Sequence, residues 1–246
     1  MKKGAMKRIT TLWLAVVLVS AVLMLAALPA AAEPAPLKDV VAALEKGYGS
    51  LRDVQADFSQ KTTLAGMNRD QKGSGELLLK RPASATAMFR FNYAKPKQQI
   101  ISNGKQLWFY QADTRQVMVS QVTDMFKGGN NIALSYLTGL GHVSRDFSAV
   151  FAREARDKSG NYQLELIPKQ PTPVLAKLKL TVAAAAVDQY TAGGSVEDIF
   201  PVVSSVVVDA SGNQTRIDYS RVRVNKGIDS SQFSFKVPAG VEVVKP

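Results

Sequence analysis

The sequence predicts a mainly β (α+β) protein built on a curved antiparallel sheet with one apolar face. Three observations carry this. From Gly75 to Tyr110, Leu77 and Leu79 alternate with Glu76, Leu78 and Lys80, and Phe89, Phe91 and Tyr93 alternate with Met88, Arg90 and Asn92. A period of two puts successive side chains on opposite faces of a strand, so each run presents one greasy face. Asn103-Gly104 separates Ile100-Ile101 from Leu107-Trp108-Phe109-Tyr110. That pair signals a hairpin, because a type I′ turn needs positive φ at both central residues. The alternation recurs toward both ends of the chain, in Val54, Ala56 and Phe58 and in Thr215, Ile217 and Tyr219.

The chain has 246 residues, the length of an export segment plus one domain of ordinary size. It holds no cysteine and one histidine, His142. That excludes disulfides, thiolate metal sites, a cysteine nucleophile and a lipid anchor on an N-terminal cysteine. It also leaves little room for histidine-based catalysis or a multi-histidine metal centre. The formal net charge is +11; residues 1–32 carry Lys2, Lys3, Lys7 and Arg8 and no acid, so the remainder keeps +7. Lys and Arg are scattered, with no run of four or more. This argues against nucleic acid as a partner and for steering toward an anionic membrane surface.

Met1 to Arg8 is basic, Leu12 to Leu28 is almost wholly apolar, and Ala30-Ala31-Ala32 supplies small residues. This is the pattern of a secretory signal cleaved after Ala32. The competing reading is an uncleaved anchor, since the apolar run approaches the length of a spanning helix. The expectation is a signal peptide over 1–32 and a single extracytoplasmic domain over 33–246.

Leu37, Val40, Val41 and Leu44 recur at helical spacing after Pro36, so an amphipathic helix is predicted over Leu37–Lys46, stopped by Gly47 and Gly49. Arg52–Leu64 is the first strand, and Ala65–Asn68 with the polar Arg69–Lys72 connects it to the second. Gln116–Val122 continues the sheet beyond the central block. After Gly128-Gly129-Asn130-Asn131, the residues Ile132, Leu134, Leu137 and Leu140 recur with Tyr136 at helical spacing, and Gly139 and Gly141 close the segment. A short glycine-flanked helix between two sets of strands is either a lid or a plain packing helix. Phe147–Arg153, Asn161–Pro168 and Leu175–Val182 are three more strands. Ala183–Asp198, bearing Ala, Gly and Ser, reads as an exposed loop insertion. Val202–Val208 is a β-branched strand, and the turn Asp209–Asn213 leads to the last alternating run.

Several pieces recur in a fixed order: Gly75-Glu76-Leu77, Lys80-Arg81-Pro82, Phe89-Arg90-Phe91, Tyr93, Pro96, Ser102-Asn103-Gly104, Leu107-Trp108-Phe109-Tyr110 and the ending Phe233-Ser234-Phe235 with Pro238 and Gly240-Val241. No single piece is specific, but the ordered set resembles the LolA family of periplasmic lipoprotein carriers, over roughly residues 37–244. The resemblance implies an incomplete, unclosed antiparallel β-barrel of about ten to eleven strands, covered by a helical lid. It also implies that Arg81 reaches across a cavity mouth to the lid, that Phe58, Leu77, Leu79, Phe89, Phe91 and Trp108 wall an acyl-chain cavity, and that Ile132, Leu134, Leu137 and Leu140 belong to the lid helix. This chain departs from the family in three places: Asn131-Ile132 stands where the lid helix usually opens with Thr-Pro, six residues separate Pro82 from Phe89, and the family's turn is short where 183–198 lies.

Taken on their residues alone, these features have plainer readings. An Arg before a Pro at a strand end is a surface cation, and inward aromatics are the core of any β-sandwich or barrel. Whether such a core is filled or hollow does not follow from spacing. Other constellations point to no catalysis. His142 has no partners in sequence, and Asp209–Asn213 lacks the alternating acids and terminal Glu of a calcium loop. Asp53 with Asp57, and Glu197 with Asp198, show no acid–base spacing, and Gly73-Ser74-Gly75 lacks the Lys-Ser/Thr of a phosphate loop. The expectation is therefore no enzyme, no metal and no cofactor. The resemblance implies a monomeric periplasmic carrier of acylated lipoproteins. It would receive them from an inner-membrane ABC-type releasing complex and pass them to an outer-membrane acceptor. The alternatives are a lipid- or lipoprotein-sensing regulatory domain of the same half-barrel fold, against which the lack of a second domain weighs, and a lipid hydrolase, which lacks a Ser-His-acid set.

Overall fold

The computed structural model describes residues 33–67, 69–82, 86–123, 142–170 and 173–244. Helix α1 (Leu37–Gly49) precedes β1 (Asp53–Thr63), β2 (Asp70–Lys80), β3 (Met88–Lys95), β4 (Gln98–Ser102), β5 (Gln106–Gln111) and β6 (Gln116–Gln121). The short helix α2 (Val143–Asp146) leads into β7 (Phe147–Arg156), β8 (Tyr162–Pro168), β9 (Lys177–Val182), helix α3 (Ala184–Thr191), β10 (Val202–Val208) and β11 (Gln214–Val224). A 3-10 turn (Ser230–Phe233) and β12 (Glu242–Val244) end the described chain. No helix among the described residues is long and apolar enough to cross a membrane.

The strands form one sheet in the order β12-β6-β5-β4-β3-β2-β1-β11-β10-β9-β8-β7. Neighbours pair antiparallel except β12, which lies parallel to β6. Strands β7 and β12 are the edges of the sheet and are not paired with each other, so the barrel is unclosed, as the resemblance implies. The twelfth strand exceeds the predicted ten to eleven. It is a short parallel addition, and parallel pairing between segments so far apart in sequence leaves no local hairpin signal.

Helix α1 buries Val40, Val41, Ala43, Leu44, Gly47 and Tyr48, packed in one core with Val54, Ala56, Phe58, Leu77, Leu79, Phe89 and Phe91 of the sheet. Burying each large apolar side chain contributes about 1.5–3 kcal/mol, which holds the helix on this inner face. Asp39 in its first turn and Lys46 in its last complement the helix dipole. The helix does not stop at Gly47 as predicted. That glycine lies inside the helix and faces Pro201, whose Cγ would lie 3.3 Å from an added Cβ. Close approach, not chain breaking, explains the residue.

Three further expectations change. Arg69–Lys72 is not a connection throughout: Asp70 already pairs with Thr63, and the β1–β2 hairpin is continuous from there to Asp53–Lys80. Asp70 is fixed by Thr63 Oγ1 at 2.8 Å and Lys61 Nζ at 2.9 Å, so polar residues extend the ladder beyond the apolar core. The Asn103-Gly104 hairpin forms, but not with a type I′ turn. Gly104 has φ +85°, whereas Asn103 is not left-handed; its Oδ1 accepts from the backbone N–H of Lys105 (2.9 Å) and Gln106 (2.8 Å), closing the loop through its side chain. Ala183–Asp198 is not an exposed loop insertion. It contains helix α3, with Ala186, Val187 and Val196 buried and Tyr190 beneath Lys46 of α1 at 5.7 Å. An alanine-rich run has high helix propensity, and small side chains let the helix approach closely, so its burial leaves little hydrophobic pattern.

Candidate functional site

In an antiparallel ladder, residues directly opposite one another share a face. Following the pairs outward from β1 therefore traces rows across the sheet. One inner-face row runs Val54, Leu79, Phe89, Ser102, Leu107 and Ser120. The next runs Ala56, Leu77, Phe91, Ile100, Phe109 and Met118, with Val244 of β12 beside Met118. This second row is apolar over its whole length. It begins in the buried core at Ala56, Leu77 and Phe91, passes through the half-buried Ile100 and Phe109, and ends at Met118, which is 42% exposed. An apolar ladder thus leaves the core and comes out toward the β6 end of the sheet.

The buried end is lined by aromatics. Phe58 meets Phe91 edge-on at 5.4 Å and Tyr93 edge-on at 4.8 Å, and Phe89 meets Phe91 edge-on at 6.3 Å. Such pairs add about 0.5–1.5 kcal/mol beyond burial and fix the ring orientations. Tyr93 donates its hydroxyl to Gln60 Oε1 at 2.7 Å. Burial pushes its phenol up to about 12, and burial raises Tyr48 and Tyr219 likewise. These phenols remain neutral at ordinary pH, so they bring no charge to the inner face.

Phe58, Leu77, Leu79, Phe89 and Phe91 all lie in this inner core. Trp108 does not, which corrects the sequence expectation. Leu107 pairs with Ser102 and Trp108 with Ile101, so Leu107 faces inward and Trp108 faces out. Trp108 packs in a second cluster with Ile101 and Val117. The chain after β11 covers this outer face: Phe235 lies 6.3 Å from Trp108 and 5.5 Å from Tyr110. Arg90 Nη1 donates to Gln232 O at 3.0 Å and Lys80 Nζ to Ile228 O at 2.6 Å. The run Leu107–Tyr110 is apolar on both faces, so alternation could not assign it. The apolar C-terminal residues Phe233 and Phe235 are the signal that the outer face has its own cover.

Arg81 stands at the end of β2, partly exposed. Its backbone N–H donates to Arg52 O at 2.7 Å, and its Nη1 donates to Tyr48 O at 2.5 Å. The guanidinium therefore caps a C-terminal carbonyl of α1, a place where positive charge is favourable. The predicted lid residues Ile132, Leu134, Leu137 and Leu140 lie outside the described residues. His142 is exposed, immediately before α2. Among the described residues, no three His, Asp or Glu side chains group as a metal site would require.

Fold and site define a class: an unclosed β half-barrel, helices packed on its inner face, with an apolar ladder running from the core to an open edge. Residues 49–236 match the family described as "Outer membrane lipoprotein carrier protein LolA", and the chain belongs to that family. It is 29% identical over 211 residues to an outer-membrane lipoprotein carrier protein of Pseudomonas paraeruginosa (strain DSM 24068 / PA7), covering 84% of this chain and 89% of the relative. It is 30% identical over 202 residues to one of Methylococcus capsulatus, covering 81% and 85%. Among solved structures it is similar to an uncharacterized conserved protein from Thermus thermophilus, with a TM-score of 0.49, 14% identity, and 85% and 98% of the two chains covered.

Proposed function

We propose that this protein is a periplasmic carrier that shields the acyl chains of lipoproteins released from the inner membrane and delivers them to an outer-membrane acceptor. The observation that carries the reading is the apolar row ending at Met118. A buried methylene contributes about 0.8 kcal/mol, so a multiply acylated protein cannot cross an aqueous compartment with its chains exposed. An apolar ladder that opens toward the sheet edge offers those chains a surface continuous with the core. Phe58, Leu77, Leu79, Phe89 and Phe91 form the deep wall, and Ile100, Phe109 and Met118 the approach. The carrier performs no chemistry on its cargo. An ABC-type complex loads it, it works as a monomer, and it needs no cofactor. Residues 1–32 are the export signal, cleaved after Ala32, and 33–246 are the carrier itself.

The test is to incubate the exported protein with membrane vesicles holding an acylated lipoprotein and an active releasing transporter. A soluble one-to-one complex is expected with acylated cargo and none with the same cargo lacking its acyl chains. Equal capture of both forms, or of neither, overturns the reading.

Arg81 is the proposed switch. Its guanidinium has five N–H donors, and the bond to Tyr48 O uses one. Further bonds to lid carbonyls would hold the lid shut when the carrier is empty. A charge-assisted bond contributes about 1.5–3 kcal/mol, enough to shift a lid population by one or two decades. Arg81→Leu is expected to capture lipoprotein as well as the wild type and to release it to the acceptor at least tenfold more slowly. Wild-type rates of transfer from this variant would sink the switch while leaving the carrier reading intact.

A further inference from the structure

A pocket lies where the C-terminal end of α1, the start of β1, the end of β2 and the chain after β11 converge. Its volume is about 730 Å³, and its charged lining is Arg52, Asp53, Lys80, Arg81 and Lys226. Asp53 offsets only one of those four positive charges. It is 5% exposed, and its two carboxylate oxygens accept from the backbone N–H groups of Lys226 and Gly227, both at 2.9 Å. Its task is to hold the post-β11 loop in place.

The four cations make no ion pair with any described residue. By contrast, Lys61, Arg145, Lys177, Arg216 and Arg221 each pair with an acid. Two of the four have partial engagements: Lys80 donates to Ile228 O and Arg81 to Tyr48 O. Each keeps further N–H donors, two of three on the Lys80 ammonium and four of five on the Arg81 guanidinium. Arg52 and Lys226 are exposed residues of the lining. Like charges gathered in one pocket repel one another, and an anion bound among them relieves that repulsion.

We infer that this pocket binds a phosphate group, through Arg52, Lys80, Arg81 and Lys226. Phosphate suits it better than a carboxylate. One guanidinium fork satisfies a carboxylate, whereas a phosphate spreads its charge over several oxygens and takes both forked and point-charge donors. The pocket is larger than the ion, so the same chemistry admits either free phosphate or the phosphate of a lipid headgroup. This site does not depend on the carrier reading, and Arg81 is the residue common to both.

The test uses the exported protein and two probes, inorganic phosphate and a soluble dihexanoyl phosphatidic acid, each titrated by calorimetry. Saturable binding of at least one probe is expected. Arg52→Gln and Lys226→Gln, which leave Arg81 untouched, should each weaken it about tenfold. Lys61→Gln, which removes one surface charge elsewhere, should leave it unchanged. Binding of both probes points to free phosphate, and binding of the lipid alone points to a headgroup; either supports the site. Thermal unfolding of each variant confirms that the fold is retained. Binding of neither probe, or equal loss with Lys61→Gln, overturns the inference and leaves lipoprotein capture unaffected.

Discussion

Met118→Asp is expected to abolish capture of acylated cargo in a protein that still folds. Met118 ends the apolar row through Leu77, Phe91, Ile100 and Phe109, and at 42% exposure it makes little contribution to the core. A polar substitution at such a site shifts stability by no more than about 0.5 kcal/mol. An acyl chain lying along the row would, however, bury the new carboxylate in hydrocarbon. That costs about 2.5–3.5 kcal/mol even on the mildest scales, or about two orders of magnitude in affinity. Met118→Leu keeps the apolar surface and should retain capture. The measurement is the dissociation constant for acylated cargo beside the thermal midpoint of each variant. If Met118→Asp binds cargo as the wild type does, the open end of the row is not where acyl chains lie.

Gly75→Ala is expected to cause the largest loss of stability from adding a single methyl group. Gly75 pairs with Phe58 on one side and Tyr93 on the other, beside a register shift between Ser74 and Gly75. A Cβ built there would sit 1.9 Å from Asn92 O and 2.9 Å from Tyr93 Cα. These are backbone atoms, and no rotamer change moves them aside. The β2–β3 ladder must part locally, in the stretch that positions Phe91 and Tyr93 against Phe58. Overpacking of this kind costs about 3 kcal/mol or more, a fall of roughly 6–12 °C in Tm for a domain of this size. Gly49→Ala is the companion control, because nothing lies within 4 Å of its added Cβ and its φ is not left-handed. A Gly75→Ala protein that melts with the wild type would mean that β2 and β3 do not pair in this register.

Much of this architecture was legible because it is local. Period-two alternation in Val54–Phe58, Leu77–Leu79 and Phe89–Tyr93 depends on neighbours within one strand, and all these residues face the inner core as read. Helix α1 was legible from the 3.6-residue spacing of Leu37, Val40, Val41 and Leu44, and only its end was misplaced, by a glycine whose reason lies in Pro201. The run Leu107–Tyr110 has no alternation, so its facing was decided by the hairpin register that sets Leu107 against Ser102. Alanine hid α3, since a helix that buries methyl groups leaves almost no hydrophobic contrast in its sequence.

By itself, then, the sequence determined a cysteine-free β fold, the inward parity of its central strands and membership of the LolA family, because periodicity, turn chemistry and ordered motifs are written along the chain. Tertiary structure alone decided three things. Trp108 lies beneath Phe235 on the outer face. The apolar row continues through Ile100 and Phe109 to an exposed Met118. Arg52, Lys80, Arg81 and Lys226 share one pocket. The physical reason is common to all three. Each depends on which distant segments pair, β1 with both β2 and β11 above all, and cross-strand register carries no mark in the residues of either strand taken alone.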